Sequence, residues 1–333
     1  MSKIILVTGA EGFIGSHLTE ILIRKGYKVK ALVLYNFNNS YGWISNFERK
    51  YNNKIEIVTG DVRDFNFLIN LTRNVEFIFH LAALISIPYS YKSPKSYLDT
   101  NVIGTYNILE SARINKIKKI IITSTSEVYG TAQSVPIKEN HSLNAQSPYA
   151  ASKIGADQLA FSYFKSFNLP VIILRPFNTF GPRQSNRAII PTIVTQALRN
   201  NGVINLGSLN PKRDFTFVKD TVSAFICTLK TNNIYGEVIN IGNNFEISIE
   251  QILKIMKIDF GFNFKIQIDK NRLRPKESEV MRLLASNKKA KKLLNWKPRY
   301  EYLNGFKKAL KETIDWYRVP ENLKKFNTDI YNI

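Results

Sequence analysis

Residues 3–18 read KIILVTGAEGFIGSHL, and the order of residue types in this stretch decides the fold. An apolar run stops at Gly9. Two more glycines, Gly12 and Gly15, follow at three-residue spacing, and an amphipathic segment then continues to Gly26. That order specifies a strand, a glycine turn and a helix. Gly9 suits a tight turn, Gly12 lets the backbone approach a pyrophosphate, and Gly15 lets the helix pack closely on the strand. The helix N-terminus, with Phe13 and Ile14 in its first turn, offers free N–H groups and a positive dipole end to phosphates. A bound dinucleotide is the expectation.

Outward from this turn the rhythm repeats. KVKALVL (28–34), KIEIVTG (54–60), EFIFHLAA (76–83), KKIIITS (118–124) and LPVIILRP (169–176) read as further strands, with helical segments near 64–72, 95–115 and 149–167. Strands apolar almost throughout, alternating with helices, form a parallel sheet covered on both faces. After Arg175-Pro176 the loops lengthen, and a helix near 188–200, short strands and a Lys-rich tail follow. The expected architecture is α/β: a Rossmann-type doubly wound parallel sheet with a smaller α/β substrate-binding lobe at its C-terminal edge. Residues 1–177 plus roughly 213–243 make the dinucleotide-binding domain, 178–212 and 244–317 the lobe, and 318–333 a tail. No low-complexity linker separates the parts, so one compact unit is expected.

Composition narrows the function classes. The chain has 333 residues, 44% hydrophobic and 22% charged, and apolar runs stop after six or seven residues, which excludes a helical membrane span. The N-terminal apolar run is short and ends in a glycine turn, so it reads as a first strand and not as a signal peptide. Cys227 is the single cysteine, so no internal disulfide forms, and a reducing cytoplasm is the expected location. His17, His80 and His141 lie far apart with no metal-ligand spacing, so no metal is expected. The net charge of +21 raises nucleic acid as a partner, but the basic residues are dispersed with no block of like charge. They read as solvated surface, with an anionic small-molecule site among them.

The second strand normally ends in an acid that binds the adenosine ribose of NAD, or is followed by an Arg for the phosphate of NADP. Residues 31–47, ALVLYNFNNSYGWISNF, carry no charge at all. With no cation for a 2′-phosphate, NAD is expected, and NADP is not excluded. Asp61, after the third strand, serves either to hydrogen-bond the adenine amino group or to cap the helix that starts there. In SPYAASKIGAD, Tyr149 and Lys153 stand four apart on one helix face. An ammonium one turn away, with a nicotinamide cation, is expected to lower the phenol's pKa, so that Tyr149 exchanges a proton with a substrate alcohol as hydride passes to nicotinamide.

These motifs, with HLAA, STSEVYG and RPFNTFGPRQ, resemble the extended short-chain dehydrogenase/reductases that modify nucleotide sugars, over residues 3 to about 317. ALVLYNFNNSYGWI, AALISIPYSY, STSEVYGTAQSVPI and GSLNPKRDFTFVKDT look most like the GDP-N-acetylglucosamine 4,6-dehydratases of legionaminic acid biosynthesis. The resemblance implies that hydride passes from sugar C4 to NAD and back to C6 while water leaves. Tyr149 would take the C4 hydroxyl proton, Thr125 would bind the C4 oxygen, and Glu127 would remove the C5 proton. Glu127 or the neighbouring hydroxyl of Ser126 would protonate the leaving C6 oxygen. Val62, Leu81, Ala82, Ala83, Thr123 and Pro176 would line the cofactor cleft. Asn178 would touch the substrate phosphate, Ser86 and Tyr91 the sugar, and Arg213, Arg274 and Arg187 the diphosphate, where Arg offers bidentate contacts. The partner is then a nucleotide-diphosphate sugar, not nucleic acid or a membrane. A homodimer would form through a four-helix bundle of segments 95–115 and 149–167. C4 epimerase and UDP-glucuronate decarboxylase are the enzymatic rivals, and an idle dinucleotide-binding sensor or scaffold the non-enzymatic one.

Overall fold

The computed structural model describes residues 3–38, 40–199, 202–327 and 331. Met1 and Ser2, Asn39 of the uncharged stretch, Asn200 of the expected helix, and residues 328–330 and 332–333 of the expected tail lie outside the described residues. In chain order the strands are β1 (Ile4–Thr8), β2 (Lys28–Leu34), β3 (Ile55–Gly60), β4 (Phe77–His80), β5 (Lys119–Thr123), β6 (Val171–Pro176), β7 (Asn178–Phe180), β8 (Val203–Leu206), β9 (Lys212–Phe217), β10 (Val238–Ile241), β11 (Glu246–Ser248), β12 (Lys265–Ile268) and β13 (Arg282–Leu283).

The β-branched runs that read as strands assemble into one parallel sheet in the order β3-β2-β1-β4-β5-β6-β10. Alternate residues serve opposite faces, as a strand's period of two requires. Ile5, Val7, Phe79 and Ile121 join one core cluster, while Leu6, Ile78, Ile120 and Ile122 join another. Helices Phe65–Leu71, Gly104–Ile114 and Pro148–Phe167 cover the second face, and helices Phe13–Arg24 and Val218–Lys230 the first. The doubly wound expectation holds. The strand order reverses between β1 and β4, so the carboxyl ends of those two strands open the crevice in which such sheets bind ligands.

The second lobe departs from expectation in one respect. β9 pairs with β7, β11 and β13 in a separate sheet, so residues 213–217 belong there and the chain returns to the main sheet only with helix Val218–Lys230 and β10. The first core cluster runs without a break from the main sheet through Phe215 and Phe217 to Phe306 and Tyr317, joining the two parts.

The helix expected at 95–115 is instead composite. Pro94–Tyr97 and Gly104–Ile114 are α-helical, and Leu98–Ile103 forms a π-helical turn between them. At its centre Asn101 accepts from Leu84 N–H, donates to Leu84 O and donates to Ser152 Oγ, each at 2.9 Å. These bonds tie the turn to the residues just after β4 and to the helix of Tyr149, and extra-wide turns of this kind recur at functional sites.

Candidate active site

The glycine turn has the shape a dinucleotide needs. Gly9 has φ +68, and a Cβ there would sit 2.9 Å from Ala82 N, so the turn and the end of β4 touch. A Cβ on Gly15 would lie 2.1 Å from Gly9 O, which only glycine avoids. A Cβ on Gly12 would meet only Gly9 O, at 3.3 Å, a tight contact but far milder than the one at Gly15. The first turn of helix Phe13–Arg24 carries no side-chain cap, which leaves its N–H groups for phosphate.

A histidine whose part no sequence motif announces holds the opposite wall. Thr8 Oγ1 accepts the N–H groups of Leu81 and Ala82 at 3.1 Å, so its proton goes to His80 Nδ1 at 2.9 Å. That assigns the Nε2–H tautomer, which donates to Thr105 Oγ1 at 3.2 Å. Burial and the Lys153 charge lower the His80 pKa to about 3, so the ring is neutral. Val62 is buried beneath Gly104, and its carbonyl accepts from Asn107. Asp61 does not cap the following helix. Asp64 does, accepting Phe67 N–H at 3.0 Å, while Asp61 pairs with Arg63, whose hydrogen bond lowers the carboxyl's pKa. Of the two roles open to Asp61, the cap is therefore removed.

The reacting groups converge beyond β5. Thr125 turns the chain into a short 3₁₀ helix, Ser126–Tyr129, with its Oγ1 accepting Glu127 N–H at 3.2 Å. Ser126, Glu127, Tyr149 and Lys153 are all buried. The Thr125 hydroxyl and the Glu127 carboxylate both act on the Tyr149 phenol, the first favouring its ionised form and the second opposing it. Among the described residues no hydrogen bond engages the Glu127 carboxylate; its charge instead faces Arg213 from β9.

Lys153 differs from its expected part. Its Nζ donates to Thr123 O at 2.5 Å, and burial lowers its pKa to about 8 against the opposing pull of Asp157. Burial raises the Tyr149 pKa; the Thr125 hydrogen bond opposes this, and Glu127, Tyr97 and Asp157 add to it. On balance the phenol's pKa stays raised, because burial outweighs the Thr125 hydrogen bond and the Lys153 ammonium is directed at Thr123 O. Beneath lies a network that the motifs did not reveal. Asp157 Oδ2 accepts from Ser124 Oγ at 2.7 Å and Arg175 Nε at 3.0 Å, Arg175 Nη1 reaches Tyr129 Oη at 2.9 Å, and Tyr129 donates to Asn240 at 2.8 Å. The available signal was Asp157 one turn beyond Lys153 on the same face.

On the lobe side, Arg213 and Arg274 come together around one carboxylate, Glu279, at 3.3 and 3.7 Å. Arg213 is buried, and Arg274 Nη1 is buried with no hydrogen-bond partner among the described residues. Tyr91 reaches the same segment, with its Oη 2.6 Å from Ser278 Oγ. Asn178 Oδ1 and Thr123 Oγ1 are likewise buried without partners among the described residues, and Pro176 and Phe177 are buried. Ser86 begins helix Ile87–Lys92, and its carbonyl accepts from Tyr97, which packs edge-on against Tyr149. Arg187 is exposed, donates to Ser185 Oγ at 3.2 Å, and its charge acts on Tyr97. Asp214 and Asp220 hold loops: Asp214 accepts the N–H groups of Asn243, Asn244 and Ala285, and Asp220 those of Arg299 and Tyr300. No metal-binding group of His, Cys, Asp and Glu occurs among the described residues, and none of their helices is long and apolar enough to cross a membrane.

A family model described as GDP-mannose 4,6 dehydratase matches residues 6–309. The chain belongs to this family. It is an enzyme of the nucleotide-sugar 4,6-dehydratase family among the extended short-chain dehydrogenase/reductases. It is 30% identical to human dTDP-D-glucose 4,6-dehydratase, covering 95% of this chain and 90% of that one. It is 32% identical to the UDP-glucuronate 4-epimerase of Thermodesulfobacterium geofontis, covering 96% and 97%. The dTDP-glucose 4,6-dehydratase of Streptomyces venezuelae, solved with NAD bound, superposes on this family member with TM-score 0.84 at 28% identity, over 97% of this chain and 99% of that one.

Proposed function

We propose that this enzyme is an NAD-dependent nucleotide-sugar 4,6-dehydratase that removes water from GDP-N-acetylglucosamine to give a 4-keto-6-deoxy sugar. One observation carries the reading: Glu127 is a buried residue whose carboxylate makes no hydrogen bond among the described residues and acts electrostatically on both the Tyr149 phenol and Arg213. NAD is the cofactor; bound, it would supply the hydride acceptor for sugar C4 and the hydride donor for C6. The glycine turn, the His80-braced wall and the unpartnered Thr123 hydroxyl fit such a group.

Tyr149, as the phenolate that a cationic nicotinamide ring would favour against burial, would accept the C4 hydroxyl proton while Thr125 holds the C4 oxygen. The 4-ketone acidifies C5–H, and Glu127 removes that proton. Glu127 or Ser126 then protonates the departing C6 hydroxyl. Arg213 and Arg274 hold the diphosphate, aided by Asn178 and Arg187, and Ser86 and Tyr91 contact the sugar. Glu279 keeps buried Arg213 and half-buried Arg274 side by side. A C4 epimerase would use Tyr149 and Thr125 in the same way but needs no base at C5, so a poised Glu127 favours elimination. Exposed apolar residues on the two expected bundle segments, Leu98, Ile103, Tyr106, Phe161 and Phe167, support a homodimer formed through them, in the cytoplasm.

Incubation with GDP-N-acetylglucosamine should yield a product lighter by one water with no net NADH, and UDP- and dTDP-sugars run alongside set the base preference. Glu127→Gln should stop water loss while a transient NADH absorbance persists. A Glu127→Gln variant that dehydrates at the normal rate removes Glu127 from this role.

A further inference from the structure

The acid that ordinarily ends the second strand is missing here, yet a carboxylate is present at that place. Glu11, from within the glycine turn, reaches across to the carboxyl end of β2, and its Oε1 accepts Leu34 N–H at 3.0 Å. Its backbone is fixed from the other side. Trp43 N–H donates to Glu11 O at 3.2 Å, and Gly42 packs so closely that a Cβ there would lie 2.7 Å from the same oxygen. Glu11 Oε2 is buried and has no hydrogen-bond partner among the described residues. Burial raises the pKa of this carboxyl against two backbone hydrogen bonds, and no neighbouring cation contributes. The nearby Asn36 side chain is tied within its own loop: its Oδ1 takes Ser40 N–H, and its Nδ2 donates to Leu34 O and Ser40 O.

In sheets of this kind the carboxyl end of β2 faces the adenosine ribose, and an acid there accepts the 2′-hydroxyl. A buried carboxylate with unused acceptor capacity calls for a donor, because leaving it unmatched is costly. The geometry points to Glu11 as the group that accepts the adenosine 2′-hydroxyl and rejects a 2′-phosphate, so that NAD selectivity is written in the glycine turn and not at the strand end. The inference rests on the dinucleotide reading of this cleft. It explains why residues 31–47 carry no charge: a second acid there would repel Glu11, and a cation would neutralise it.

The test is direct binding, read by quenching of tryptophan fluorescence in dinucleotide-free protein titrated with NADH and with NADPH. The wild type should bind NADH at least about 100-fold more tightly than NADPH, as expected when a charged hydrogen bond is replaced by repulsion. In Glu11→Gln and Glu11→Ala, NADH affinity should fall about 10- to 100-fold and the ratio should shrink to within about tenfold. A mere brace for β2 would weaken both cofactors in parallel and leave the ratio unchanged, and that result overturns the inference. Should both variants fail to fold, wild type with the adenosine 2′-deoxy analogue of NADH decides: about tenfold weaker binding supports Glu11, and equal binding overturns it. Wild type that binds NADH and NADPH alike also overturns it while leaving the dinucleotide reading intact. Wild type that binds neither defeats that reading itself.

Discussion

Replacing Asp157 by Asn removes one charge from the pair on which the reacting residues stand. Asp157 and Arg175 meet at 2.9 Å with side chains 1% and 4% exposed. Asn keeps the shape and one acceptor for Ser124, but Arg175 is left buried with only the Tyr129 hydroxyl facing its charge. Removing one partner of such a pair costs about 3–5 kcal/mol, whereas replacing both by apolar residues of similar volume restores much of the loss. Urea unfolding of wild type, Asp157→Asn, Arg175→Met and Asp157→Leu with Arg175→Met gives the single costs and the coupling. Each single change should cost about 3 kcal/mol or more, and the double change less than their sum by about 2 kcal/mol or more. The variant should also lower the pKa of Lys153 below its present value of about 8, because Asp157 is the group that supports its charge. An Asp157→Asn protein within about 1 kcal/mol of wild type refutes the view that this pair holds the site together.

Two further expectations concern the cofactor side. Burial raises the Glu20 carboxyl, but hydrogen bonds from Arg183, Tyr51 and Arg24 prevail and hold its pKa at about 2 against an ordinary 4.5. Its stabilisation is therefore complete above the unfolded value and is lost as pH falls through the folded one. About 2–3 kcal/mol should disappear between pH 4.5 and about 2, and Glu20→Gln should flatten that part of the unfolding curve. The glycine turn offers a contrast. Gly12→Ala should lower the melting temperature only slightly and lose NADH affinity, since its Cβ meets only Gly9 O, at 3.3 Å, and would stand where the backbone approaches a pyrophosphate. Gly15→Ala should lose both, since its Cβ would press on Gly9 O at 2.1 Å. Equal melting temperatures for the two would contradict that geometry.

The features legible in the amino-acid order are those that local pattern encodes. KVKALVL became β2 residue for residue, and the glycine spacing gave the turn, because hydrophobic period and backbone sterics act over a few residues. The misses are long-range. Glu279 meets Arg213 across 66 positions, His80 meets Thr8 across 72, and nothing in either neighbourhood announces the partner. Whether β9 joins the main sheet or the second one depends on competing partners and not on its own residues. Glu11 stands within the motif, but between glycines whose spacing places no demand on its side chain. The π-helical turn at Leu98–Ile103 arises from the bonds of Asn101 to Leu84, which no periodicity reveals.

The most direct test follows the hydrogen on C4. GDP-N-acetylglucosamine deuterated at C4 is incubated with the enzyme, and the product's label is located by NMR and mass spectrometry. Internal transfer followed by elimination at Glu127 should give a 4-keto product, lighter by one water, with deuterium on C6. Deuterium returned to C4 of a product that has kept its C6 hydroxyl would contradict it, and would identify the same tyrosine and threonine as an epimerase site.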